Sequence, residues 1–124
     1  MNIVHITFEA DPEAADRASL ALMRAAEARV RRGEPSEVVD TIAFESIEGM
    51  FSTLTPKRLA LLQHLHAHPA RSVRALAEAL DRDYRRVHAD VAALLPLGLI
   101  QQEGTALTAP YGEIRFALHL EAAA

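Results

Sequence analysis

The chain has 124 residues, half of them hydrophobic and 24% charged, which suits one domain of ordinary size with a buried core and excludes a disordered chain. It contains no cysteine, so disulfides, thiolate catalysis and cysteine-ligated zinc or iron–sulfur centres are excluded. The net charge of −4 is unevenly spread: residues 1–50 hold 5 basic and 10 acidic side chains, residues 51–95 hold 7 and 4, and residues 96–124 hold 1 and 3. An acidic start joined to a basic middle is the asymmetry of a chain with a polyanion-binding segment. No apolar run approaches the roughly 18 residues of a membrane span. The start, MNIVHITFEA, lacks a basic segment followed by an apolar stretch, so no signal peptide and a cytoplasmic location are expected.

Residues 2–8 alternate, with Val4, Ile6 and Phe8 on one face, and predict a short strand. Asp11 followed by Pro12 is an N-cap with proline at the first helical position. Residues 12–32 are rich in good helix formers, and Gly33 and Pro35 stop them. Residues 37–44 predict a second strand carrying Val38, Val39, Ile42 and Phe44. The two strands and a later C-terminal one are expected to form one small sheet. Residues 46–54 place Ile47, Met50, Phe51 and Leu54 at helical spacing, with Gly49 against a helix.

Thr55-Pro56 repeats the cap-plus-proline start and opens a helix over 56–67, with Leu59, Leu62, Leu65 and His66 as its inward stripe. After Pro69, Ser72 caps a short helix that turns Val73, Leu76, Ala77 and Leu80 inward. Asp81-Arg82-Asp83 is a tight connection, and Asp83 is the expected cap of a third helix over 84–95 with Val87, Val91 and Leu94 inward. Pro96 and Gly98 end it. Residues 99–102 and 105–108 predict two strands joined at Glu103-Gly104, and residues 113–120 a final strand.

Three helices with a short second turn, followed by a hairpin, are the order of a winged helix-turn-helix. Such a third helix must lie in the DNA major groove, about 12 Å wide, with donors at its N-terminal end. Tyr84, Arg85, Arg86 and His88 occupy that end and are the expected base contacts. Lys57, Arg58, Arg71, Ser72, Arg74 and Arg82 are the expected phosphate contacts, which set position and not sequence. The bland reading of Arg85-Arg86 is a solvated face beside Asp83 and Asp90.

Residues 72–100, SVRALAEALDRDYRRVHADVAALLPLGLI, resemble the helix-turn-helix of MarR-like winged-helix regulators. The matching positions are Leu76-Ala77 with Leu80, then Val87 and Val91, then Leu94 and Leu97-Gly98-Leu99-Ile100. The longer pattern from Leu54 to Leu120 is similar to a narrower group of small predicted DNA-binding proteins, several of them placed as antitoxins of toxin–antitoxin pairs. That resemblance implies a repressor of its own operon that also neutralises a partner toxin. One departure stands out. The hairpin tip, Gln102-Glu103-Gly104-Thr105, has no basic residue, so a charged wing entering the minor groove is not expected.

The expected fold is therefore α+β. It comprises an N-terminal strand-helix-strand (1–45) for dimerisation or partner binding, a winged helix-turn-helix (46–110), and a C-terminal strand and tail (111–124). The expected function is a sequence-specific transcriptional regulator that binds double-stranded DNA as a homodimer, with repression as its mode. Two copies are needed to reach half-sites about 34–36 Å apart. No enzyme is expected: there is no glycine-rich phosphate loop and no G-x-S-x-G. No cofactor or metal is expected either, since His64 and His68 share a helix face without an acidic or cysteine ligand close in sequence. Two rival readings are a protein-interaction module that neutralises a toxin, with DNA secondary, and a ligand-responsive regulator with an apolar pocket.

Overall fold

The structure is a computed structural model that describes residues 2–8, 12–34 and 38–118. The expected cap at Asp11, the stop at Pro35 and residues 119–120 of the last strand lie outside those residues, and within them that strand ends at Phe116, short of the expected 120. The described residues form an α+β chain whose elements fall into two compact units, Met1–Met50 with Glu113–Ala124, and Phe51–Gly112. In sequence the second unit is an insertion between two strands of the first.

Unit one contains β1 (Asn2–Phe8), α1 (Pro12–Arg31), β2 (Val38–Phe44), the start of α2 (Ile47–Thr53), and the last strand of the chain, β5 (Glu113–Phe116). The sheet order is β2-β1-β5, and both pairings are parallel. Parallel neighbours need a crossover, and the 20-residue α1 supplies it between β1 and β2 and packs on β2. The small sheet expected from sequence is thus closed within one chain. Register sets Ile6 beside Ile42 on one side and Phe116 on the other, so one face of the sheet carries an apolar row across all three strands. Ile3, Val4 and Ile6 are all buried, including two consecutive residues, so the central strand is covered on both faces near its start. Ser46 begins α2, its Oγ accepting from the Gly49 amide at 3.0 Å, so the glycine is tolerated inside the helix.

Unit two contains α3 (Pro56–Ala67), α4 (Val73–Leu80), α5 (Tyr84–Leu94), a 3-10 turn (Leu95–Leu97), and the hairpin strands β3 (Gln101–Glu103) and β4 (Ala106–Thr108). Each of the three helices starts where its cap residue predicts. Thr55 Oγ1 accepts from the Arg58 amide, Ser72 Oγ from the Ala75 amide, and the Asp83 carboxylate from the Arg86 amide. The core is aliphatic: Leu61, Leu62, Leu65, Leu76, Val87, Leu94 and Leu107 are buried, and α4 packs on α5. Two inward positions of α3 differ from the sequence expectation. Leu61 is buried where Leu59 was expected, and His66 is exposed, its Nδ1 held 2.7 Å from the Ala109 carbonyl oxygen.

The hairpin is shorter than expected. Leu99 and Ile100 are buried but lie outside the strand, and the turn is Gly104-Thr105, one residue later than the predicted one. Gly104 has φ +62°, which fits the first central position of a type II′ turn, where a Cβ is strained. The hairpin is tied down at its base. Ala70 and Leu107 exchange two backbone hydrogen bonds, 3.1 and 2.7 Å, and Thr105 Oγ1 donates to the Arg71 carbonyl at 2.9 Å. The α3–α4 connection therefore acts as a third short strand beside β4.

Candidate nucleic-acid interface

Alternation of buried and exposed residues at helical spacing gives α5 two faces. Val87, Val91 and Leu94 are buried on one side. Arg85, His88, Ala89 and Ala92 are exposed on the other, and Tyr84 and Arg86 flank the first turn, also exposed. Arg85 and Arg86 have exposed side chains with no acceptor within hydrogen-bond or ion-pair distance among the described residues. Their backbone is fixed all the same, because the Asp83 cap begins the helix immediately before them. The first turn of α5 thus presents two guanidinium groups from a rigid base, which lowers the ordering cost of any contact they make.

Tyr84 is held in place by two neighbours. The Arg74 guanidinium sits over its ring at 5.1 Å from the centroid, and the His88 ring lies 5.9 Å away. Tyr84 is 41% exposed, so it remains available at the surface. A cleft beside it is lined by Arg74, Glu78, Asp81, Arg82, Asp83 and Tyr84, and mixes both signs of charge. Asp81, which closes α4, has φ +52°, the left-handed conformation that short polar residues tolerate best.

The six residues expected to touch phosphate separate into three groups. Lys57, Arg71 and Arg74 are exposed. Ser72 is partly buried and caps α4. Arg58 and Arg82 behave differently, because Asp90 holds both. Arg58 Nε lies 3.0 Å from Asp90 Oδ1, and Arg82 Nη2 lies 2.7 Å from Asp90 Oδ2. Only 20% of each arginine side chain and 13% of the aspartate remain exposed. Arg58 Nη1 also donates to the Thr53 carbonyl at 2.9 Å, while Arg82 Nη1 is buried without an acceptor. These two guanidinium groups join α3 and the α4–α5 connection to α5; they are not part of the freely exposed basic surface.

Asp90 was not picked out by sequence as a member of the site. The only signal was its spacing: it lies eight residues after Arg82 and on the same side of α5 as the buried valines. The three histidines of α3 and its end do not converge on a common point with other ligands. The His64 and His68 rings are 5.2 Å apart, and no group of three metal-ligating side chains occurs among the described residues. No described helix is long and apolar enough to cross a membrane.

Searches against curated proteins and against solved structures return no match. A family model matches residues 53–116, just over half of the chain, which spans the end of α2, the three helices, the hairpin and β5. On that match the chain belongs to the HVO_A0114 family.

Proposed function

We propose that this protein is a sequence-specific DNA-binding regulator of the winged helix-turn-helix type, with α4 and α5 as the helix-turn-helix and β3–β4 as the wing. The observation that carries the reading is the division of α5: an inner face locked by Val87, Val91 and Leu94, and an outer first turn with two unpaired arginines. A helix of this kind fits a major groove about 12 Å wide, and an arginine there donates two parallel hydrogen bonds to guanine. Arg85 and Arg86 read bases, with Tyr84 and His88 beside them. Lys57, Arg71 and Arg74 bind phosphates, and the N-terminus of α4 at Ser72 offers amide donors to a further one. Arg58 and Arg82 serve the same surface indirectly, by fixing the angle of α5 through Asp90. Glu103 at the hairpin tip leaves the wing to contact backbone through Gln101, Gln102 or Thr105, without a charged insertion into the minor groove.

Operator occupancy by a dimer, excluding polymerase, is the mode of regulation in this reading. A toxin-neutralising role is the second reading. It is favoured by the acidic charge of residues 1–50 and by exposed apolar side chains on α1. The test is fluorescence anisotropy with DNA from upstream of the gene and a scrambled duplex, repeated across salt. The proposal expects tight binding to the native duplex that weakens as salt rises. Equal and weak binding to both would contradict it and turn attention to the product of the neighbouring gene.

A further inference from the structure

The end of α3 carries three histidines that divide between two sides. His66 is committed to the segment that follows the hairpin, where its Nδ1 donates to the Ala109 carbonyl oxygen at 2.7 Å. His64 and His68 are four residues apart and share another side, one helical turn from each other. Their ring centres are 5.2 Å apart and the rings are tilted by 43°, so they meet without stacking flat. His64 is half-buried and His68 is exposed. Neither ring has a hydrogen bond or an ion pair among the described residues, so the imidazole nitrogens of both are open to a ligand.

The separation is that of two ligands on one ion. With metal–nitrogen bonds of about 2.0–2.1 Å in tetrahedral geometry, two imidazole ring centres lie about 5 Å apart. Histidines at i and i+4 on one helix face are the ligand pair of helical zinc sites. No third protein ligand joins them here, since the described residues hold no group of three metal-ligating side chains. Water therefore fills the remaining positions, and the ion exchanges. An all-imidazole pair favours zinc, nickel and copper over magnesium and calcium, which take oxygen ligands. The position on the helix acts in the same direction. His64 lies in the last turn of α3 and His68 is its C-cap, where the negative end of the dipole and the unpaired carbonyls favour a cation. The His68 amide donates to the His64 carbonyl at 2.8 Å, so the backbone holds the two ligands at a fixed spacing. Once one imidazole is bound, the second binds as an intramolecular event.

We infer that His64 and His68 bind a divalent transition-metal ion of the zinc, nickel and copper group as its two protein ligands. The inference rests on the end of α3 alone and does not depend on the DNA reading. Such an ion clips the last turn of α3 just before Pro69 and Ala70, and Ala70 anchors the hairpin through Leu107. The test is calorimetric titration of the full chain with Zn2+, without DNA. The expected result is one ion per chain with a dissociation constant below about 100 μM. Zn2+ at a hundredfold excess over that constant should raise Tm by about 5–10 °C. Mg2+ and Ca2+ at the same concentrations should give no binding. His64→Gln and His68→Gln should each weaken Zn2+ binding by about tenfold or more, while His88→Gln leaves it unchanged. His68 is exposed, so its variant tests the site without disturbing the core. Imidazole nitrogen NMR should move one ring nitrogen on each of His64 and His68 and leave His66 in place. A wild type that binds no Zn2+, or binding that is as tight in both His64→Gln and His68→Gln, would overturn the site. Ring shifts confined to other histidines would overturn it as well.

Discussion

Arg82 Nη2 lies 2.7 Å from Asp90 Oδ2, and this contact fixes the α4–α5 connection to the middle of α5. The same carboxylate accepts from Arg58 of α3 through its other oxygen. One aspartate therefore sets the orientation of the helix that carries Arg85 and Arg86. Removing it leaves the largely buried Arg82 guanidinium without its acceptor and leaves Arg58 with the Thr53 carbonyl. Asp90→Ala is expected to cost about 2–4 kcal/mol and lower Tm by roughly 10 °C in a thermal melt. Replacing all three residues by apolar ones of similar volume should recover most of that loss. A melt of Asp90→Ala that overlays wild type would show the network to be ornamental.

Arg85→Ala and Arg86→Ala touch no packing and are expected to shift stability by no more than about 0.5 kcal/mol. Under the proposed function their effect falls on recognition. Each should lose about 1–3 kcal/mol of discrimination between the native and scrambled duplex. Anisotropy of the double variant is the check, and unchanged preference would place base reading elsewhere.

Lys57→Ala and Arg71→Ala should behave in another way. A phosphate contact carries no sequence information, so each variant should weaken binding to every duplex alike. The dependence of log affinity on log salt should become shallower by about one for each lost contact. Arg58→Ala should instead act mainly on Tm, because its guanidinium is occupied by Asp90 and the Thr53 carbonyl.

Asp83 both caps α5 and places a negative charge beside the first turn. Asp83→Ala should lower stability by about 1 kcal/mol, read by urea unfolding. It should also raise affinity for non-specific DNA at low salt, since an acidic group close to Arg85 and Arg86 is gone. Asp83→Ser retains a capping oxygen and removes the charge, so it should keep the second effect and lose most of the first.

Much of this fold was legible from residues that act locally. Thr55, Ser72 and Asp83 announce helix starts because each offers an oxygen to an amide three residues on. Val87, Val91 and Leu94 announce the inner face of α5 by spacing alone. What failed was decided at a distance. The choice between Leu59 and Leu61 depends on which neighbours α3 meets, and both fit a helical stripe. The hairpin turn fell one residue later because Ala70 bonds to Leu107 and fixes the register from outside the hairpin. Arg58 and Arg82 read as surface cations because Asp90 lies 32 and 8 residues away from them in sequence. The parallel pairing of β5 with β1 spans almost the whole chain, so no short pattern encodes it.

The most direct test of the central claim is an amide NMR titration of the full chain with the upstream duplex. The account predicts that the largest shifts fall on Tyr84 to Ala92 along the outer face of α5, and on Arg71 to Arg74 at the start of α4. Leu20, Met23 and Val30 of α1 should stay unmoved. Shifts confined to α1 and the sheet, with α5 silent at saturating DNA, would contradict it.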